Sequence, residues 1–198
     1  RLVEEVDAPA PMRAIVQQAR EQLVQLDARL AACDAQIQAH ARSSSQAERL
    51  RALLGVGPIT ASAVVATVPD ARLFRHGRLF GAWLGLTPRQ HSTGGKTRLG
   101  SSSKRGDAYL RGLLVNGARS ALQAALRTAP EKATRLQQWM VVLARRCGYQ
   151  KALVAIANKH ARMIWAMLAR DETYDPQAWQ RHARAATPMQ AAAAPGAA

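Results

Sequence analysis

Carboxylates are what this chain has too few of. It holds 13 Asp and Glu against 28 Lys and Arg, a formal net charge of +15 over 198 residues. That imbalance points to a polyanion as partner. Cysteine is scarce as well. Cys33 and Cys147 are far apart in the sequence and form no CxxC pair, which removes a disulfide scaffold and a zinc site from consideration. The five histidines show no ligand spacing, so no metal site is expected, and His160 falls in a helical pattern where a packed or surface role is expected. No apolar run approaches the ~20 residues that a membrane-spanning helix requires, and no signal-peptide pattern stands at the start. These absences predict a protein of a reducing cytoplasm, with no membrane partner. Strand-like alternation is missing too, so the expected fold is all-α.

The positive charge is concentrated. Between Arg72 and Arg119 there are ten Lys and Arg and one acid, Asp107. A surface that neutralises nucleic-acid phosphates needs such a concentration.

Residues Pro11 to His40 read as one long helix. Val16, Ala19, Leu23, Leu26, Leu30, Cys33 and Ile37 step alternately by three and four, a heptad seam that predicts a helical hairpin or a coiled coil with another copy. A turn follows at Arg42–Gln46, with Ser44 or Ser45 as the cap of the next helix. Leu53-Leu54-Gly55-Val56-Gly57-Pro58-Ile59-Thr60-Ala61 then has the pattern of a helix-hairpin-helix, with a short helix ending at Gly55 and a second beginning near Pro58. In that motif the Gly55 and Gly57 backbone N–H groups are candidate phosphate contacts. Arg72, Arg75 and Arg78 are spaced to share one helix face, with Phe80, Trp83, Leu84 and Leu86 turned inward. Three further helices are expected over Asp107 to Leu126, Lys132 to Arg146 and Gln150 to Arg170, with Lys151, Lys159 and Arg162 adding charge to the last. The organisation is therefore a coiled-coil stalk over 1–45, a compact helical domain over 46–175, and an Ala-rich disordered tail over 176–198.

The most informative stretch runs from Gly94 to Arg111. It sets three hydroxyls, Ser101, Ser102 and Ser103, between flexible Gly-rich backbone and the cations Lys96, Arg98, Lys104, Arg105 and Arg111. Cations of this kind neutralise phosphate, and a serine among them is placed to attack it.

Taken in order, Leu53 to Ala61, Leu84-Gly85-Leu86-Thr87-Pro88-Arg89-Gln90, Ser92-Thr93-Gly94-Gly95-Lys96, Ser103-Lys104-Arg105-Gly106-Asp107 and Tyr109-Leu110-Arg111 resemble the carboxy-terminal domain of an insertion-sequence transposase family. This is the "IS one-ten" group of bridge-RNA-guided serine recombinases, related to pilin-gene inversion recombinases. The resemblance covers roughly Leu50 to Leu168. It implies a DNA transposase in which a serine attacks a phosphodiester, forms a phosphoserine link and exchanges strands. Ser103 inherits the nucleophile position, with Ser101 and Ser102 as neighbours in the register. Lys104, Arg105 and Arg111 match the family's basic positions, and by chemistry they would stabilise the phosphate or leaving group. The resemblance further implies an amino-terminal ribonuclease-H-like domain whose acids hold Mg²⁺, a guide RNA, a homo-oligomer built on the coiled coil, and a bacterial, nucleoid-associated setting. No acidic tetrad is present here, and Arg1-Leu2-Val3-Glu4 opens without Met and mid-pattern. That predicts a piece of a longer protein, which binds DNA without recombining it alone. The alternative is a non-enzymatic helix-hairpin-helix module that binds DNA.

Overall fold

A computed structural model describes residues 9–91, 93, 96 and 98–177 of the chain. Among them are seven α-helices and one small two-stranded ribbon, arranged as a long amino-terminal helix followed by a compact helical region. The expectation of an all-α architecture with a leading stalk therefore holds. Residues Ser92, Gly94, Gly95 and Thr97 of the Gly-rich stretch, and 178–198 of the expected tail, lie outside the described residues.

Helix α1 (Ala10–Ser43) runs for 34 residues, about 50 Å at the usual rise. Pro11 sits in its first turn, where a missing N–H is harmless, and nothing after it breaks the helix. Only its last turns join the body. Ala41 is fully buried, and His40 Nδ1 lies 3.2 Å from Ser62 Oγ. Along the predicted seam, Leu23, Leu26 and Leu30 are 62%, 51% and 62% exposed.

Ser44 breaks the helix by adopting extended backbone, and its hydroxyl accepts the Ala47 N–H to cap α2 (Ser45–Leu50). A turn through Gly55 leads to α3 (Pro58–Thr67). Helix α4 (Gly77–Trp83), strands β1 (Pro88–Gln90) and β2 (Leu99–Ser102), and helices α5 (Ala108–Arg127), α6 (Arg135–Cys147) and α7 (Tyr149–Ala169) complete the order. Asp107 starts α5 by accepting the Leu110 N–H at 2.9 Å, and Thr134 with Gln137 forms a capping box at α6.

Helix α7 is the central element. Leu153, Ile156, Ala157, His160, Ile164 and Met167 are buried along it, where it meets α5, α4, α6 and α2. Two glycines of α4 allow close approach. A Cβ at Gly77 would stand 3.1 Å from the Arg162 backbone, and one at Gly81 would stand 3.4 Å from the Asn158 amide. The Trp165 indole N–H donates to the carbonyls of Ala71 and Phe74, each at 3.0 Å, which ties the chain ahead of α4 to α7.

Five details differ from the sequence expectations, the first being that α2 ends at Leu50 and a turn, not helix, leads on to Gly55. The ribbon was not foreseen, because β1 and most of β2 are exposed on both faces and no apolar alternation betrays them. Arg72, Arg75 and Arg78 do not share a helix face. His76 caps α4 by accepting the Leu79 N–H, so the helix begins only at Gly77. Arg72 instead folds back on Asp70, whose carboxyl is held below its ordinary pKa by the Arg72 backbone N–H and guanidinium. Trp83 is 38% exposed, stacking on Phe80 with ring centroids 5.7 Å apart, while Phe80, Leu84 and Leu86 are buried as expected. Finally, α6 and α7 are separated by Gly148 alone, which takes a φ of 83°.

Candidate functional site

The carboxyl end of α4 is the platform of the site. Gly85 enters the left-handed region (φ 72°), its N–H reaches the Ala82 carbonyl, and the Leu86 N–H reaches Gly81. This double closure is a Schellman motif. It leaves the carbonyls of residues 84–87 pointing away from the helix, and each one finds a donor from another element. Leu84 O accepts from the Arg111 guanidinium at 3.2 Å. Gly85 O accepts from the Ser102 hydroxyl at 2.6 Å and the Lys104 N–H at 3.2 Å. Leu86 O accepts from the Asn158 amide at 3.3 Å, and Thr87 O from the Ser103 N–H at 2.8 Å.

Those bonds clamp the segment carrying Ser103 from both sides. Lys104 is held at a φ of 53°, uncommon for a residue with a side chain. Gly106 passes so close to α4 that a Cβ would stand 1.8 Å from the Trp83 carbonyl oxygen. The three serines are thereby distinguished. Ser102 spends its hydroxyl on Gly85, and Ser101 is exposed on β2. Ser103 is half-buried, and its hydroxyl makes no hydrogen bond with the described residues. Its own carbonyl accepts from Arg89 at 3.4 Å, while Lys104 and Arg105 beside it are exposed. The loop therefore offers a fixed backbone, a hydroxyl with no partner among the described residues, and two cations in solvent.

The other predicted residues fall into two groups. Arg111 comes to the loop, but half-buried and tied to Leu84, so part of its hydrogen-bonding capacity is spent on the platform. Lys96 and Arg98 lie on the ribbon's far arm. Lys96 forms an isolated bridge with Thr93, and the Arg98 carbonyl accepts from the His91 N–H at 2.8 Å. Gly55 and Gly57 belong to the α2–α3 turn. Gly55 faces α5, with a hypothetical Cβ 2.3 Å from the Gly117 carbonyl oxygen, so helix packing accounts for it without a ligand. Gly57 is exposed, with nothing within 4 Å of a Cβ, and precedes the first turn of α3. The platform itself escaped sequence reading. Its signal was Gly85 followed by Pro88, a helix stop with a residue of left-handed backbone, whereas nothing in the sequence connects Asn158 to Leu86.

A family model described as the transposase IS116/IS110/IS902 family matches residues 47–134, which include the α2–α3 turn, the platform and the serine loop. The chain is 49% identical over 168 residues to a probable family 20 transposase of Pseudomonas aeruginosa, covering 85% of this chain and 48% of that protein. It is 40% identical over 153 residues to the transposase for insertion sequence element IS1111A of Coxiella burnetii, covering 77% and 41%. A putative transposase of Sinorhizobium fredii is 43% identical over 133 residues, covering 67% and 34%. The chain thus spans half or less of the length of these relatives.

Proposed function

The chain belongs to the IS116/IS110/IS902 transposase family, and from that premise we propose that it is the strand-exchanging part of a DNA transposase whose nucleophile is the Ser103 hydroxyl. The observation that carries this reading is the state of that hydroxyl: without a hydrogen-bond partner among the described residues, on a backbone clamped to the α4 platform, beside exposed Lys104 and Arg105. In the proposed step Ser103 Oγ bonds to phosphorus and the bond from phosphorus to one flanking sugar oxygen breaks. That oxygen takes up a proton, and the strand is left esterified to the serine. A hydroxyl from a second strand end then bonds to the same phosphorus, the bond to Oγ breaks, and Ser103 recovers a proton. One P–O bond replaces another in each step, so no external energy is needed. Lys104 and Arg105 offset the charge that develops on the phosphate oxygens, and Arg111 fixes the platform beneath them.

Serine at its ordinary pKa needs a base. The described residues hold no cluster of three or more His, Cys, Asp or Glu side chains that fits a metal ion. The Mg²⁺ that the family resemblance implies is proposed to belong to the acidic amino-terminal domain which that resemblance also implies, and no step above is routed through it. DNA, a guide RNA and a second copy of the chain are the proposed partners. Gly57, Lys96, Arg98, Lys104 and Arg105 are the proposed phosphate contacts, with Gly55 acting through packing.

The test is a covalent adduct. Full-length transposase incubated with nicked DNA should yield a protein–DNA species that survives denaturation, and Ser103→Ala should abolish it while Ser101→Ala keeps it. An adduct that persists in Ser103→Ala sinks the assignment and leaves a non-enzymatic DNA-binding module.

The exposed seam of α1 supports self-association, because Leu23, Leu26 and Leu30 otherwise leave a row of apolar side chains in water. Replacing Leu26 and Leu30 together with Asp should reduce the mass seen by light scattering to that of a single chain. An unchanged mass removes the coiled-coil reading.

A further inference from the structure

A cavity of about 790 Å³ opens between the ribbon and α7, and the proposed chemistry makes no use of it. Leu86, Val154 and Ala155 give it apolar lining, and Lys151, Lys159 and Arg162 bring three cations to it. None of the three joins a salt bridge among the described residues. From Arg135 to Ala169, the whole of α6 and α7, there is not one acid. Lys159 is held in place by Trp139, its Nζ 4.7 Å from the ring centroid. Burial first, and secondarily the charges of Arg162 and Arg135, pulls its pKa below the ordinary lysine range, and an anion beside it would favour its charged form. Asn158 also lines the space. It gives its amide N–H to Leu86, and its Oδ1 has no partner among the described residues.

Apolar floor and cationic rim together match one nucleotide unit, with a base face for the aliphatic side chains and a phosphate for the cations. Bases in a duplex have both faces stacked and cannot reach such a floor, so the occupant is unpaired. Ser101 and Ser102 border the same cavity, and the chain passes directly from them to Ser103. We propose that this cavity seats an unpaired DNA strand next to the scissile position, with a phosphate on Lys159 and Arg162 and a base against Leu86, Val154 and Ala155. The choice of DNA rests on the transposase reading above; the preference for an unpaired strand rests on the cavity alone.

Fluorescence anisotropy with a labelled oligothymidylate, against a hairpin duplex of equal length, tests this on the present chain. The triple variant Lys151→Gln, Lys159→Gln, Arg162→Gln should bind oligothymidylate at least tenfold more weakly. It should also lower the slope of log affinity against log salt by about 0.7, the contribution of the one phosphate contact on a single strand. Duplex binding should change less than twofold. Ala155→Trp fills the floor without altering charge, and should weaken oligothymidylate binding with the salt slope intact. If that variant does not fold, the triple variant decides, because it removes charge without adding volume. Wild-type affinity in the triple variant, an equal loss for single strand and duplex, or a neutral Ala155→Trp in folded protein overturns the proposal, as does a preference for oligouridylate over oligothymidylate. The nucleophile assignment is read by the covalent adduct and this site by oligothymidylate affinity, so failure of the one and failure of the other give different results.

Discussion

Gly55→Ala is expected to cost more than ~3 kcal/mol of stability, while Gly57→Ala, two residues along, is expected to cost under ~1 kcal/mol. At Gly55 two penalties combine. Its φ of 89° lies in the region that an L side chain enters at about 1–2 kcal/mol. The new methyl would also stand 2.3 Å from the Gly117 carbonyl oxygen and 2.9 Å from its carbon. Both are backbone atoms of α5, so no rotamer change removes the clash, and the turn and the helix must separate. Gly117 faces the reciprocal problem, with a Cβ 2.2 Å from the Gly55 oxygen. Against a typical domain stability of about 5–15 kcal/mol, that is a large fraction of the total. Gly57 has ordinary extended backbone (φ −88°, ψ 179°) and open space where the methyl would go. Its replacement loses only the mild advantage of Gly over Ala ahead of a helix, partly offset by a less flexible unfolded chain. Urea unfolding of the two variants measures the contrast. Similar midpoints would show that the turn does not pack on α5 as described. The comparison also bears on DNA binding, because weak binding by a Gly55 variant reports a damaged fold, whereas Gly57→Ala isolates the α3 end as a phosphate contact.

The two glycines look alike in sequence, and the difference between them measures what sequence can convey. Local signals were readable: Ser44 or Ser45 as a cap, Pro58 in a first turn, and Asp107 at the start of α5. Each depends on residues a few positions apart, and each is reproduced by the backbone. Partners more than about twenty residues distant were not readable. Nothing near Gly55 announces Gly117, and nothing near Leu86 announces Asn158. The same holds for the serine loop. Its composition drew attention to Ser103, but only the platform of carbonyls at 84–87 separates the bound hydroxyl of Ser102 from that of Ser103, which has no partner among the described residues. Charge spacing misled at Arg72, Arg75 and Arg78, since a helical reading of that interval ignored His76, whose ring nitrogen caps α4 and keeps the earlier residues out of it. The ribbon went unseen because a strand exposed on both faces carries no burial pattern for sequence to reveal.

Acid should weaken this fold earlier than carboxylate titration explains, through His160. The side chain is fully buried on α7, and neither ring nitrogen has a hydrogen-bond partner among the described residues. Burial, and secondarily the charge of Lys159 beside it, pulls its pKa down from 6.5 to about 4. The folded state therefore prefers the neutral ring, while the unfolded chain takes up a proton near pH 6.5. Between these values the unfolded state binds more protons, so stability rises with pH across the window. The contribution is complete above about pH 6.5 and is lost progressively as pH falls toward 4, to a total of about 3 kcal/mol at 1.36 kcal/mol per pKa unit. Asp70 and Asp171, exposed and paired with Arg72 and Arg49, have pKa values below their ordinary 3.8, so their own effect falls in stronger acid. His160→Leu should flatten the curve between pH 6.5 and 4. It should also match or exceed wild-type stability at neutral pH, because it removes two unpaired polar atoms from the core at similar volume. Urea titrations at half-unit pH steps supply the measurement. A wild-type midpoint that stays level down to pH 4.5 would mean that the ring finds a hydrogen-bond partner, and α7 would then pack differently around it.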